Sequence, residues 1–197
     1  MTTAEMIATL DQRLDNPDSF WTASEEYAAL SNGQREVQRI LASRGKYFKD
    51  LTENVTAMLA SEYVAASQSV LSVEYSYPSA SAVVYYPARL VSEQQAKKLD
   101  DNEWTKATIE DPISYQTDGK LYFMPFPATL GSLTGYAKYV QLKDLGEIDA
   151  STEPKLDELT HNAIVQWAYA ELLTKNPSRA GESENEKKIF YEMVSTL

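Results

Sequence analysis

The stretch that decides the fold is Ile113-Ser114-Tyr115-Gln116-Thr117-Asp118-Gly119-Lys120-Leu121-Tyr122-Phe123-Met124. Two runs of strand-forming residues, Ile113–Thr117 and Lys120–Met124, flank Asp118-Gly119. That pair tolerates the left-handed backbone angles of a two-residue type I′ turn, so the spacing predicts a β-hairpin. Pro125 and Pro127 stop the second strand, because proline has no N–H to give to a sheet.

Outward from the hairpin the β texture continues over residues 52–86, which are rich in Val, Tyr, Ser and Thr. Val70–Tyr77 has strand propensity and meets Pro78; Val83–Tyr86 is a second short strand ahead of Pro87. Thr134–Leu142 is a further strand, with Tyr136, Lys138, Val140 and Leu142 opposite Ala137, Tyr139 and Gln141. Gly131–Gly135 reads as a loop joining two strands. Residues 92–99 predict a short helix with a polar surface. An acidic loop, Asp100-Asp101-Asn102-Glu103, follows and is expected to be anchored by Trp104.

Both ends of the chain read as helix. Thr2 with Glu5, and Thr22 with Glu25, have the spacing of capping boxes. Met6, Leu10 and Leu14 make the apolar stripe of the first helix, which Asn16-Pro17-Asp18 ends. Tyr27, Leu30, Val37 and Leu41 line the second, with Gln34 interrupting the stripe and Asn32-Gly33 an awkward pair inside it. That helix runs to about Arg44 and closes on Gly45. Near the C-terminus Leu156, Leu159, Ala163, Trp167 and Ala170, broadened by Ile164 and Leu172, form a stripe that stops at Asn176-Pro177. A third capping box, Ser183 with Glu186, starts a last helix whose apolar face is Ile189, Phe190, Met193, Val194 and Leu197. The order predicts an α+β chain: a helical bundle of the two ends, residues 1–51 and 146–197, with a β-rich insertion over 52–145.

Composition narrows the function. The 197 residues hold 29 acids and 18 bases, a net charge of −11, no Cys, one His and 13 Tyr. Without Cys there is no disulfide scaffold, zinc ribbon or thiol nucleophile. A Ser-His-Asp triad would have to use His161, which sits on a helix without the partner spacing of a metal or catalytic motif. At this charge a free-standing basic DNA reader is not expected. The acids Asp100, Asp101 and Glu103 lack calcium-loop spacing: counting from Asp100, position six is Thr105 and position twelve Asp111. Neither GxxxxGK[ST] nor GxGxxG occurs among seven Gly. No stretch is long and apolar enough to cross a membrane, and no secretory leader opens the chain, so a product of the cytoplasm is expected. No residue is assigned to catalysis, a cofactor or a metal. Eight of the tyrosines lie between residues 75 and 139, which suits either a sheet core or an interface.

These segments resemble a known family, the head-to-tail adaptor or head-completion (connector) proteins of tailed bacteriophages. The resemblance is a pattern spanning nearly the whole chain. It opens with Leu14-Asp15-Asn16, Phe20-Trp21-Thr22, Glu26-Tyr27 and Gln34-Arg35-Glu36-Val37. Ser61-Glu62-Tyr63-Val64 and Val70–Tyr77 lead into Pro112-Ile113-Ser114-Tyr115, Asp118-Gly119 and Phe123-Met124-Pro125-Phe126-Pro127. Gly135-Tyr136, Leu159–Leu173 and a short helix around Tyr191 close it.

The resemblance implies a helical bundle with a β-rich domain and a dodecameric ring at the virion neck. It implies portal protein on one side, often reached through C-terminal residues, and a tail or neck protein on the other. It carries over no catalytic residue, and it implies synthesis in the host bacterial cytoplasm. Packaged DNA would pass through without specific binding, which the acidic charge suits.

The face of Ile189, Phe190, Met193, Val194 and Leu197 is the candidate portal contact, set against packing onto the first two helices. Deleting residues 189–197 is expected to abolish that contact. The hairpin around Tyr115, Asp118, Gly119 and Tyr122 is the second candidate, lining the channel or meeting a neighbour. The alternative is a virion or cell-surface binding module that uses exposed Tyr and Trp104 of the β insertion.

Overall fold

The computed structural model describes residues 1–15, 20–45, 48–59, 61–76, 84–125 and 135–197. The sequence features at Asn16-Pro17-Asp18, Tyr77-Pro78, Val83, Phe126-Pro127 and Gly131–Thr134 lie outside these residues. The chain forms two compact units, Met1–Tyr47 with Asp144–Leu197, and Phe48–Lys143. Its class is α+β, with terminal helices flanking a β-rich middle.

In the first unit, α1 (Thr3–Leu14) and α2 (Ala23–Ser43) each begin with a formed capping box, Thr2 with Glu5 and Thr22 with Glu25. In each, a threonine hydroxyl and a glutamate reciprocally satisfy amides that the first turn leaves open. Asp15 ends α1 in the left-handed conformation, and Gly45 follows α2 at φ +72°. The centre is α5 (His161–Lys175), buried nearly all round, so the apolar stripe read from its sequence is only part of the surface it buries. Packed on it are α1, α2 and α6 (Ser183–Thr196).

Two anomalies of α2 become intelligible here. A Cβ at Gly33 would sit 2.7 Å from the Ile164 carbonyl oxygen, so glycine lets α2 and α5 approach. Gln34 interrupts the apolar stripe because its buried Oε1 accepts from the Lys155 amide at 2.8 Å. Beside it, the Ser31 hydroxyl accepts from the Ile148 amide at 2.9 Å. Both bonds tie the incoming 144–156 segment to the helix.

Two expectations for this unit need correction. Ser183 does not cap α6: its hydroxyl donates to the Ala170 carbonyl at 2.8 Å, and Glu186 accepts from Gln166 Nε2 at 2.7 Å. Long-range partners have taken both halves of the expected box. Leu159 leaves the buried stripe, because it lies in a 3-10 turn (Glu158–Thr160) and is largely exposed. Of the last helix's apolar face, Phe190 and Val194 are wholly buried inside this unit, in line with the packing alternative for those two residues. Deleting residues 189–197 therefore removes core as well as surface.

The second unit opens on a short helix, α3 (Phe48–Leu51), and holds two four-stranded sheets. One has the order β1-β8-β3-β4, from Thr52–Leu59, Gly135–Leu142, Val70–Ser76 and Tyr85–Pro87, all antiparallel. The other has the order β2-β7-β6-β5, from Tyr63–Ala65, Lys120–Met124, Ile113–Thr117 and Arg89–Val91. Their facing sides share one apolar cluster, with Val73, Tyr75, Ala137 and Tyr139 from the first sheet and Leu121 and Phe123 from the second. Gln116 adds a polar tie: Oε1 accepts from the Val70 amide, and Nε2 donates to the Ala66 and Gln68 carbonyls.

The hairpin turn forms with Asp118 at φ +49° and Gly119 at φ +69°. Strand β5 pairs with β6 in parallel, a pairing that no local pattern announces. A parallel pair needs a crossover, and α4 (Glu93–Asp100) supplies it, packing Ala96 and Leu99 near Ile113 and Val91. A capping box at Ser92 and Gln95 starts α4. The expectation that Trp104 anchors the following loop is overturned, since its side chain is 95% exposed.

Candidate functional site

The hairpin register sets Tyr115 opposite Tyr122, and the pairing of β2 with β7 sets Tyr63 opposite Tyr122. Strand alternation therefore places three phenol rings in one row across β6, β7 and β2. Tyr115 and Tyr122 stack at 4.8 Å with their planes 4° apart, and Tyr63 follows Tyr122 at 5.4 Å and 49°. Lys120 Nζ lies 4.4 Å above the Tyr63 ring, a cation–π contact. Burial raises the pKa of the Tyr115 hydroxyl, with Tyr122 and Glu93 adding to the effect. Beside the row is a groove of about 410 Å³ lined by Glu62, Asp100, Lys106, Tyr115, Tyr122 and Met124, among others.

The loop carrying Trp104 is firmly built, although the indole is free of the core. Asn102 Oδ1 accepts from the Trp104 amide at 3.0 Å, and the Asn102 carbonyl accepts from the Thr105 and Lys106 amides. The Thr105 hydroxyl donates to the Leu99 carbonyl at 3.2 Å. Arg89 Nε donates to Asp111 at 2.9 Å and Arg89 Nη2 to the Thr105 carbonyl at 3.4 Å. These bonds fix the backbone and leave the ring in water.

On the helical unit the C-terminal candidates divide. Phe190 packs edge-on to Trp167 at 4.9 Å and belongs to the interior with Val194. Ile189 is exposed, whereas Met193 and Leu197 are half-buried. Tyr191, which the stripe did not include, is exposed and contacts Phe190 at 5.2 Å. On the β unit, Tyr115 and Tyr122 meet in the stacked pair, and Asp118 and Gly119 are exposed at the turn. Sequence reasoning missed Tyr63 as the third ring, because the pairing of β2 leaves no local signal. The facing of Tyr115 and Tyr122 was readable from the two-residue turn, which fixes the register.

His161 is a structural residue. It is buried, and its Nε2 donates to the Leu156 carbonyl at 3.1 Å, the role a carbonyl partner requires. Among the described residues no group of three or more His, Asp or Glu side chains is placed to hold a metal ion. No helix among them is long and apolar enough to cross a membrane. The family model described as SU10 adaptor protein matches residues 1–193, and the chain belongs to that family of phage head-to-tail adaptors. As a phage adaptor it is a structural protein of the virion and interacts with other head and tail proteins. No curated protein matches the chain.

Proposed function

We propose that the protein assembles as a dodecameric ring on the portal at the virion neck, extends the DNA channel and presents a platform to a tail or neck protein. The family match over residues 1–193 carries this reading. The charge supports it. The helical unit, residues 1–47 and 144–197, holds 18 acids against 10 bases, and the β unit 11 against 8. A conduit wall must not hold the DNA that passes it, and net negative charge weakens phosphate binding. Synthesis in the host bacterial cytoplasm belongs to the same reading.

Docking onto the portal falls to the exposed part of α6, with Ile189 and Tyr191 at its centre and Met193 and Leu197 at its margin. The interior residues Phe190 and Val194 hold that helix in place. Electron microscopy of the protein mixed with portal-bearing, tail-less heads tests the reading. A ring beneath the portal is the expected image, and bare portals at saturating protein would overturn it. Ile189→Asp is expected to remove the ring while the helical circular dichroism stays unchanged. Trp104 and the tyrosine row favour one second reading, a module binding a glycan or another surface component, for which glycan-array binding by the isolated protein is the test.

A further inference from the structure

Trp104 lies in the turn between α4 and β6, the strand that carries Tyr115. Asp100 and Lys106, which bracket the turn carrying Trp104, both line the groove beside Tyr115 and Tyr122. A tryptophan 95% open to water on a backbone fixed by several hydrogen bonds is a preorganised anchor: little ordering remains to be done when a partner covers it. The surroundings are acidic. Glu62 and Asp100 line the groove, Asp101 and Glu103 are exposed on the turn that carries Trp104, and Lys106 lies 4.0 Å from Asp100. Rings in this unit also take cations on their faces, Lys120 on Tyr63 and Lys138 on Tyr85 at 3.9 Å.

We propose that Trp104 and the groove beside the tyrosine row form a docking surface for an extended, arginine- or lysine-bearing segment of another head or tail protein. The cationic groups would stack on the open indole of Trp104 and pair with Glu62, Asp101 and Glu103, their apolar stems covering the ring. Charge selects the occupant. A second copy of this chain brings another net −11 to an already acidic surface, whereas a basic segment neutralises it. The inference rests on the adaptor reading and adds to it a second contact, distinct from α6.

The test uses the whole chain, purified tail-less heads and purified tails of the same phage, with binding titrated at low and at raised salt. Trp104→Ala and the pair Asp101→Lys with Glu103→Lys alter only exposed side chains, so unchanged melting is the check that the fold is intact. Each is expected to weaken binding to heads or to tails at least tenfold. Wild-type binding to that same particle is expected to weaken with salt. Iodide quenching supplies a direct readout: Trp21 is buried and Trp167 half-buried, so the quenchable emission comes mainly from Trp104 and should be protected in the complex. If the wild type binds a particle and both variants bind it equally well, the inference fails and the adaptor reading stands. If the wild type binds neither particle, both fail. A protected indole in a salt-insensitive complex that the charge reversal leaves intact also overturns the inference, since the partner is then an uncharged surface such as a glycan.

Discussion

The two units use polar side chains in opposite ways. In the helical unit buried polar groups bind distant parts of the chain to one another. Gln166 accepts from Arg13 Nη1 at 2.6 Å and donates to Glu186, joining α1, α5 and α6 through one side chain. Arg179 reaches the Leu14 carbonyl at 3.1 Å and the Tyr169 hydroxyl at 2.7 Å, and Arg44 reaches the Val194 carbonyl at 3.1 Å. In the β unit the sandwich interior is mostly apolar, with Gln116 as a polar tie. Its aromatic chemistry lies on the outer side of the second sheet. A buried hydrogen bond loses its energy if either partner shifts, so networks of this kind specify one arrangement of helices. An apolar sandwich needs less of that and leaves its outer face available for contact.

The largest expected effect tests the interior role of α6. Phe190→Ala removes a fully buried ring packed on Trp167 and is expected to cost about 3–5 kcal/mol, read as a lowered midpoint in urea followed by far-ultraviolet circular dichroism. A loss below about 1 kcal/mol would place Phe190 on a surface and restore α6 as a wholly external face.

Gly33→Ala comes next. Alanine is the better helix former by about 1 kcal/mol, but its Cβ would collide with a backbone oxygen that no rotamer change can move. The net expectation is a loss of about 1–3 kcal/mol. A stabilised variant would show that α2 and α5 are not in close contact there. Asn32, whose Nδ2 donates to Glu171 Oε1 at 2.9 Å, marks the same crossing.

How legible the fold was follows from where each signal finds its partner. The capping boxes at Thr2 and Thr22 and the Asp118-Gly119 turn are satisfied within four residues of sequence, and they form as read. Ser183 and Glu186 carry the same local pattern, yet Ala170 and Gln166 outbid them from the neighbouring helix. Gly33 and Gln34 looked like faults because their reasons, Ile164 and Lys155, lie more than a hundred residues away. Strand β1 has no local signal, since its partner β8 lies some eighty residues on and an edge strand with mixed polarity has weak periodicity. Trp104 was misread because a large aromatic residue in a loop ordinarily packs inward. Its exposure is a property of the assembled crossover alone. Of the candidate site, the pair Tyr115 and Tyr122 was accessible through hairpin register, and Tyr63 was not.

Tyr122→Ala is a smaller perturbation, aimed at the β unit. It removes the central ring of the row and both of its neighbours' contacts, worth about 0.5–1.5 kcal/mol each beyond area burial. Partial exposure reduces the total, so a loss of about 1–2 kcal/mol is expected, with the near-ultraviolet tyrosine signal changed. No change in that signal would mean that the rings are not coupled and that the row is three separate side chains.

The slightest effects near neutrality come from titration, and they separate the units by sign. In the helical unit the Thr22 amide and hydroxyl hold Glu25 below the ordinary carboxylate range, Ser151 does the same for Asp149, and the N-terminal ammonium does so for Glu158. A lowered native pKa means that the unfolded chain binds the proton more readily. The stability these groups add is complete above their unfolded values, about 4, and is lost as pH falls through the lower native values. In the β unit burial raises the hydroxyls of Tyr75, Tyr115 and Tyr139. Here the native state keeps its protons longer, so stability is complete below about 10 and declines as pH rises beyond it. Amide exchange followed against pH should therefore show protection falling first in the helical unit on acidification, and first in the β unit on alkalinisation. The β unit also holds one lowered carboxylate, Glu93 beside Lys97, so its acid loss is expected to be smaller but not zero. Equal acid sensitivity in both units would show that the capping and N-terminal contacts add nothing to the native state. Equal alkaline sensitivity would show that burial of the three phenols adds nothing to the native state.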